Sequence, residues 1–155
     1  MTFSKDELED YMKIALLEAK ISLNEGNNGF GTLIVKNKEI IAKSHDLENI
    51  DKDPTSHAEI NAIRIACKTH GKSLPGCVLF STHEPCPMCT SAIIWAGLEG
   101  LVYSVSIDEA IELGRKRIPI SSHEIIERSN SDIWIKKGVL KNQCIKLYSK
   151  KVHEK

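Results

Sequence analysis

The stretch Val78-Leu79-Phe80-Ser81-Thr82-His83-Glu84-Pro85-Cys86-Pro87-Met88-Cys89 passes from an apolar run into a proline-flanked cysteine pair. Val78 to Ser81 has the composition of a buried strand. Pro85 suits a helix start, where an amide donor would lack an intrahelical partner, and Ile93, Ile94 and Trp95 carry that helix to Gly97. Cys86-x-x-Cys89 at a helix start puts two sulfurs within reach of one ion, and the positive end of the helix favours the thiolates a metal needs. Upstream, His57-Ala58-Glu59 opens a second helical pattern through Ile60, Ile63 and Ala66. One imidazole and two thiolates are a complete donor set for a catalytic zinc that keeps one position open for water. Glu59, two residues beyond His57, is placed to move protons beside that metal without binding it.

Outward from these two strings the chain alternates helices with strands. Ser4-x-x-Glu7 is a capping box, and the apolar spacing after it predicts a helix to about Asn24, stopped by Gly26-Asn27-Asn28-Gly29. Strands are expected at 31–35 and 39–43, joined as a hairpin by Lys36-Asn37-Lys38, with a polar loop from His45 to Ser56. The His57 helix should end near Thr69. A strand at 101–105 is followed by short helical stretches near 107–114 and 123–128, a weak strand at 133–135, and a last helix from Leu140 to about Lys150. This alternation implies a layered α/β domain with a mixed sheet.

The chain has 155 residues, enough for one hydrophobic core, so residues 1–155 are read as a single domain. Lys+Arg and Asp+Glu both number 21. That balance speaks against a nucleic-acid backbone as main partner, although Arg115-Lys116-Arg117 forms a local basic patch. The amino terminus has acids where a cleavable leader would be apolar, and no apolar run is long enough to cross a bilayer. Five cysteines in such a chain suggest metal or redox chemistry in a reducing compartment, with the cytoplasm as the expected location.

Together the two strings follow the H-x-E…P-C-x-x-C pattern of zinc deaminases. The chain resembles the cytidine and deoxycytidylate deaminase superfamily, in the branch of guanine deaminase, cytosine deaminase and tRNA adenosine deaminase. The likeness extends over roughly residues 8 to 105: Phe30-Gly31-x-Leu33-Ile34-Val35 is similar to the family's first strand, Asp53-Pro54-Thr55-Ser56-His57-Ala58-Glu59 to its first ligand segment, and Glu84-Pro85-Cys86-Pro87-Met88-Cys89-x-x-Ala92-Ile93 to its second. The resemblance implies a three-layer α/β/α sandwich around a mixed sheet of about five strands. It implies Zn2+ on His57, Cys86 and Cys89, Glu59 as proton shuttle, hydrolysis at a C–N bond of a cyclic amidine, and a homodimer. Phe30, Asp46, Ala58, Glu84 and Pro85 are the expected substrate contacts. Asp46 departs from the family, which usually has Asn eleven residues before the ligand histidine; a carboxylate accepts hydrogen bonds where an amide also donates.

Guanine deaminase, and with it purine metabolism, is the first reading of the substrate. A tRNA adenosine deaminase, or a deaminase of cytosine, a pterin or another heterocycle, is the alternative; a zinc module without catalysis is the rival from another class. Individual residues also have plainer readings. Ser56-x-x-Glu59 is itself a capping box, and Asp46 reads equally well as a solvated loop carboxylate. Phe30 reads as core or pocket wall, and Trp95 as core. Cys67, Cys77 and Cys144 read as packed thiols, and Trp134 as half-buried packing. His45 and His83 flank the site, yet each reads first as an exposed loop histidine; His70, His123 and His153 carry no signal.

Overall fold

In the computed structural model, which describes residues 1–149, the Ser4 capping box forms as expected. The Ser4 hydroxyl accepts from the Glu7 amide, the Glu7 carboxylate accepts from the Ser4 amide, and α1 runs Lys5–Asn24. Strands β1 (Gly31–Lys36) and β2 (Glu39–His45) pair antiparallel through a two-residue turn. Asn37 and Lys38 both take positive φ there, the conformation that matches the strands' right-handed twist. Next come α2 (Glu48–Asp51), α3 (Ala58–His70), β3 (Cys77–His83), α4 (Pro87–Trp95) and β4 (Gly100–Val105). The chain continues through α5 (Ile107–Glu112), α6 (Ser122–Arg128), β5 (Trp134–Lys137) and α7 (Lys141–Cys144), then a 3-10 turn at Ile145–Ser149.

The five strands form one mixed sheet in the order β2-β1-β3-β4-β5, with β3, β4 and β5 parallel. Alternation along the strands splits the core in two. Leu33, Val35, Val78 and Phe80 pack with Met12, Ala15 and Ala19 of α1 and with Cys144 of α7. Ile34, Cys77, Leu79 and Leu101 pack on the opposite side with Ala62 and Ala66 of α3, Ile93 of α4 and Ile126 of α6. Helices cover both faces, which is the three-layer arrangement expected. Gly31 sets how closely α1 lies on the sheet, because a Cβ there would sit 1.9 Å from the Ala15 carbonyl oxygen.

Three expectations need correction. The segment 45–56 is not all loop: His45 ends β2, and 48–51 form α2. That helix has no side-chain cap from its own N-cap residue Leu47; instead Oδ1 of Asn27 accepts from the amides of Asn49 and Ile50. A cap arriving from 22 residues upstream leaves no local signature. Trp95 is not core but 84% exposed, because α4 turns Cys89 and Ile93 inward and Trp95 out. The closing helix breaks after Cys144 and starts beyond Leu140, whose φ of 52° lies in the left-handed region; Lys150 and His153 lie outside the described residues.

Candidate active site

The site lies where the parallel strand β3 ends and the chain turns into α4, the usual position for ligands in α/β sheets. His57 is the N-cap of α3 and Cys86 the N-cap of α4, both in extended conformation, with Cys89 in the first turn of α4. Two helix N-termini therefore converge on one point and favour negative charge there. His57 Nδ1 lies 3.5 Å from both cysteine sulfurs, and the three ligand atoms lie within 4.8 Å of one another. A tetrahedral zinc with ordinary Zn–N and Zn–S bonds would separate nitrogen from sulfur by roughly 3.6 Å. The donor set fits zinc. Among the described residues no other histidine, cysteine or carboxylate joins that group, and three protein ligands would leave a tetrahedral zinc one position for water.

In the metal-free protein the three groups share protons among themselves. A hydrogen bond from Cys89 brings the Cys86 thiol down to about 4, with His57 adding to the shift against the cost of burial. Its partner Cys89 is pushed up by Cys86 and by burial. Burial disfavours the His57 imidazolium, but hydrogen bonds to Cys86 and Glu48 raise it to about 11. Metal binding needs deprotonated ligands and displaces these shared protons.

Glu59 is 5% exposed in the wall of a pocket of about 630 Å³ that also reaches His57 and Cys86. Its Oε1 accepts from the Ser81 hydroxyl at 3.1 Å, which ties it to β3. Burial and the negative Cys86 push its carboxyl up, while the positive His57 opposes them. The capping-box alternative for Glu59 is not what forms: α3 has no side-chain cap, and the Ser56 hydroxyl donates to Asp51 Oδ2 at 2.6 Å.

Of the expected substrate contacts, Phe30 and Glu84 line the pocket, whereas Asp46, Ala58 and Pro85 do not. Both oxygens of the Glu84 carboxylate are engaged, Oε2 by the Ile107 amide and Oε1 by the Ser122 amide and hydroxyl, all at 2.8 Å. Glu84 thus brackets the starts of α5 and α6. Asp46 is fully buried. Its Oδ1 accepts from the amides of Asn28 and Glu48, each at 3.3 Å. Burial, then the neighbouring Glu48 carboxylate, raises Asp46 to about 7.

Residues that sequence reasoning did not place in the site complete its wall. Asn28, Glu48 and Asn49 line one side. Lys116 and Arg117 of the basic patch line another. His83 is buried in the pocket wall, not exposed. Its Nδ1 meets the Val105 carbonyl oxygen at 3.2 Å, and its Nε2 accepts from Arg117 Nε at 2.7 Å. The carbonyl can only accept, so the proton sits on Nδ1. Burial first, then Arg117, lowers His83 to about 3 and keeps it neutral. The Arg117 guanidinium lies 5.0 Å over the Phe30 ring, which in turn packs on His83. His45 is no exposed loop residue either: its two ring nitrogens meet Glu18 and Glu25, each at 2.8 Å.

A hydrolase built on a three-ligand zinc and a buried carboxylate is the class that this fold and donor set define. The family model of the cytidine and deoxycytidylate deaminase zinc-binding region matches residues 5–105. Guanine deaminase of Bacillus subtilis is 42% identical over 108 residues, 68% of this chain and 69% of that protein. The tRNA-specific adenosine deaminase of Aquifex aeolicus is 43% identical over 97 residues, 62% of this chain and 64% of that protein. A solved structure from work on A-to-I editing by tRNA:A34 deaminases superposes with a TM-score of 0.78 at 28% identity, covering 89% of this chain and 98% of that one. The chain belongs to the cytidine and deoxycytidylate deaminase family, zinc-binding hydrolases acting on C–N bonds of cyclic amidines.

Proposed function

We propose that residues 1–155 form one deaminase domain that hydrolyses the exocyclic amine of a free purine base, guanine first, and releases ammonia. The observation that carries this reading is the buried Glu59 carboxylate, which lines the same pocket as His57 and Cys86 of the three-residue cluster. When bound, zinc supplies a water activated to attack at neutral pH. Glu59 takes one proton from the attacking water and passes it to the ring nitrogen beside the amino-bearing carbon, then takes the second from the hydroxyl left on that carbon and delivers it to the departing amine. A C–O bond forms, the C–N bond breaks, and the products are a ring carbonyl and ammonia. A zinc module without catalysis would have no need of that buried carboxylate.

Four features support guanine. The pocket wall is rich in acceptors, from Glu48 and Asp53 to the amides of Asn28 and Asn49, and guanine presents ring N–H and amino donors. Phe30 offers a flat apolar wall for the ring. The chain has no net charge, and a relative at 42% identity is a guanine deaminase. Ala58 and Pro85 contribute through the shape of the backbone at the two helix starts, and Asp46 acts through Glu48. A tRNA substrate is the second reading, favoured by Lys52, Lys116 and Arg117 in the same wall. An ammonia-release panel of guanine, adenine, cytosine, a pterin and a tRNA anticodon hairpin tests the assignment. Guanine should lead by kcat/KM; release from the hairpin alone would replace the first reading with the second.

A homodimer belongs to the same proposal. Helix α4 carries no charged side chain and leaves Trp95 84% exposed, a surface suited to a second copy. Among the described residues no helix is long and apolar enough to cross a membrane, and the cytoplasm is the proposed location.

A further inference from the structure

Glu48 opens a four-residue helix whose N-cap residue, Leu47, supplies no side-chain cap, and polar contacts from near and far in the chain hold it. The Asn28 side chain donates to its Oε2, the Asp46 carboxylate accepts from its amide, and Asn27 caps the helix it opens. Its other oxygen, Oε1, lies 3.7 Å from Nε2 of His57. The opposite ring nitrogen, Nδ1, is the one that faces both sulfurs. His57 thus stands between the sulfur pair on one side and a braced carboxylate on the other.

From this geometry we propose that Glu48 is the positioning residue of the metal centre: facing Nε2 at ion-pair distance, it favours the tautomer that carries the proton there, so that the Nδ1 lone pair is presented to zinc. Neutral imidazole carries one ring proton, and a histidine can ligate through Nδ1 only while that proton stays on Nε2. A carboxylate facing Nε2 fixes the tautomer, restrains ring rotation and makes the opposite nitrogen a better donor. Water would supply no such restraint, and the Asn28 and Asp46 contacts explain why Glu48 is not free to swing away. The inference rests on the assignment of His57, Cys86 and Cys89 as zinc ligands, and it gives Asn28 and Asp46 a common purpose in bracing Glu48.

The test is the zinc dissociation constant of the full chain, read by competition with a chromogenic chelator, for wild type, Glu48→Ala and Glu48→Gln. Glu48→Ala should bind zinc roughly 10- to 100-fold more weakly. Glu48→Gln keeps an acceptor oxygen and should recover part of that loss. In nitrogen-15 spectra of the zinc-loaded protein, the His57 Nε2–H should be visible in wild type and broadened by exchange in Glu48→Ala. Metal-free Glu48→Ala should lose some thermal stability, because the Asn28 amide loses its acceptor, but less than the lost zinc affinity corresponds to. Wild-type zinc affinity in Glu48→Ala would overturn the proposal, as would a loss matched by equal destabilisation of the metal-free protein with no rescue by glutamine. A wild-type protein that holds no zinc would instead sink the ligand assignment itself.

Discussion

The two sides of the pocket are built in different ways. The metal side takes its donors from two short contiguous strings at strand-to-helix and loop-to-helix junctions, with His57 and Cys86 as N-caps and Cys89 one turn on. The side proposed for recognition is assembled from distant pieces: Asn28 after α1, Glu48 on α2 and Lys116 and Arg117 beyond α5 line it, with Asn27 and Asp46 bracing α2 from outside the pocket. Reaction chemistry is written locally, whereas the wall that chooses a substrate depends on polar contacts across 18 to 22 residues or more. Lys116 and Arg117 can change without touching the metal side, whereas Glu48 is the point where the two sides meet, 3.7 Å from His57. The chain is similar at nearly equal identity to a guanine deaminase and to a tRNA-specific adenosine deaminase.

Substitutions can test that division. The largest effect is expected on the metal side. Cys86→Ser or Cys89→Ser should strip the zinc and destabilise the fold, because metal binding and folding are coupled. At about 2–4 °C per kcal/mol for a domain of this size, the melting temperature should fall by roughly 10 °C or more. Stoichiometric zinc retained in both variants would erase the distinction between the sides. Next in size, Glu59→Gln should keep one zinc per chain while kcat drops about 10²- to 10⁴-fold, the usual contribution of a positioned proton carrier. Unchanged ammonia release would remove Glu59 from the chemistry.

The smallest effect should come from the periphery of the recognition side. Burial disfavours the His45 imidazolium, but the hydrogen bonds to Glu18 and Glu25 outweigh it and raise the folded-state value above that of the unfolded chain. The stabilisation is then fully present below about pH 6.5, the unperturbed histidine value, and is lost as pH rises through the folded value. His45→Gln should lower the melting temperature at pH 6 and leave it nearly unchanged at pH 9. A pH-independent difference would show that the imidazolium bridge contributes nothing.

The same contrast explains what the sequence disclosed. The capping box at Ser4, the hairpin at Asn37-Lys38, the alternating strands and the zinc strings are local patterns, and each forms where the sequence places it. Helix α2 escaped because its cap is Asn27, and Glu48 escaped with it. His83 and His45 read as exposed because their partners, Arg117 on one side and Glu18 and Glu25 on the other, are distant in the chain. Glu84 lines the pocket, but its carboxylate also reaches forward to Ile107 and Ser122, partners that no local pattern announces. Trp95 looked buried because α4 has no charged residue to mark an outer face.

Anomalous diffraction at the zinc edge from crystals of the purified protein tests the central claim most directly. One ion bonded to His57 Nδ1 and the sulfurs of Cys86 and Cys89, with Glu59 beside it and unbonded, is the predicted result. An ion enclosed by four side chains, or one bound away from these three atoms, would contradict the account.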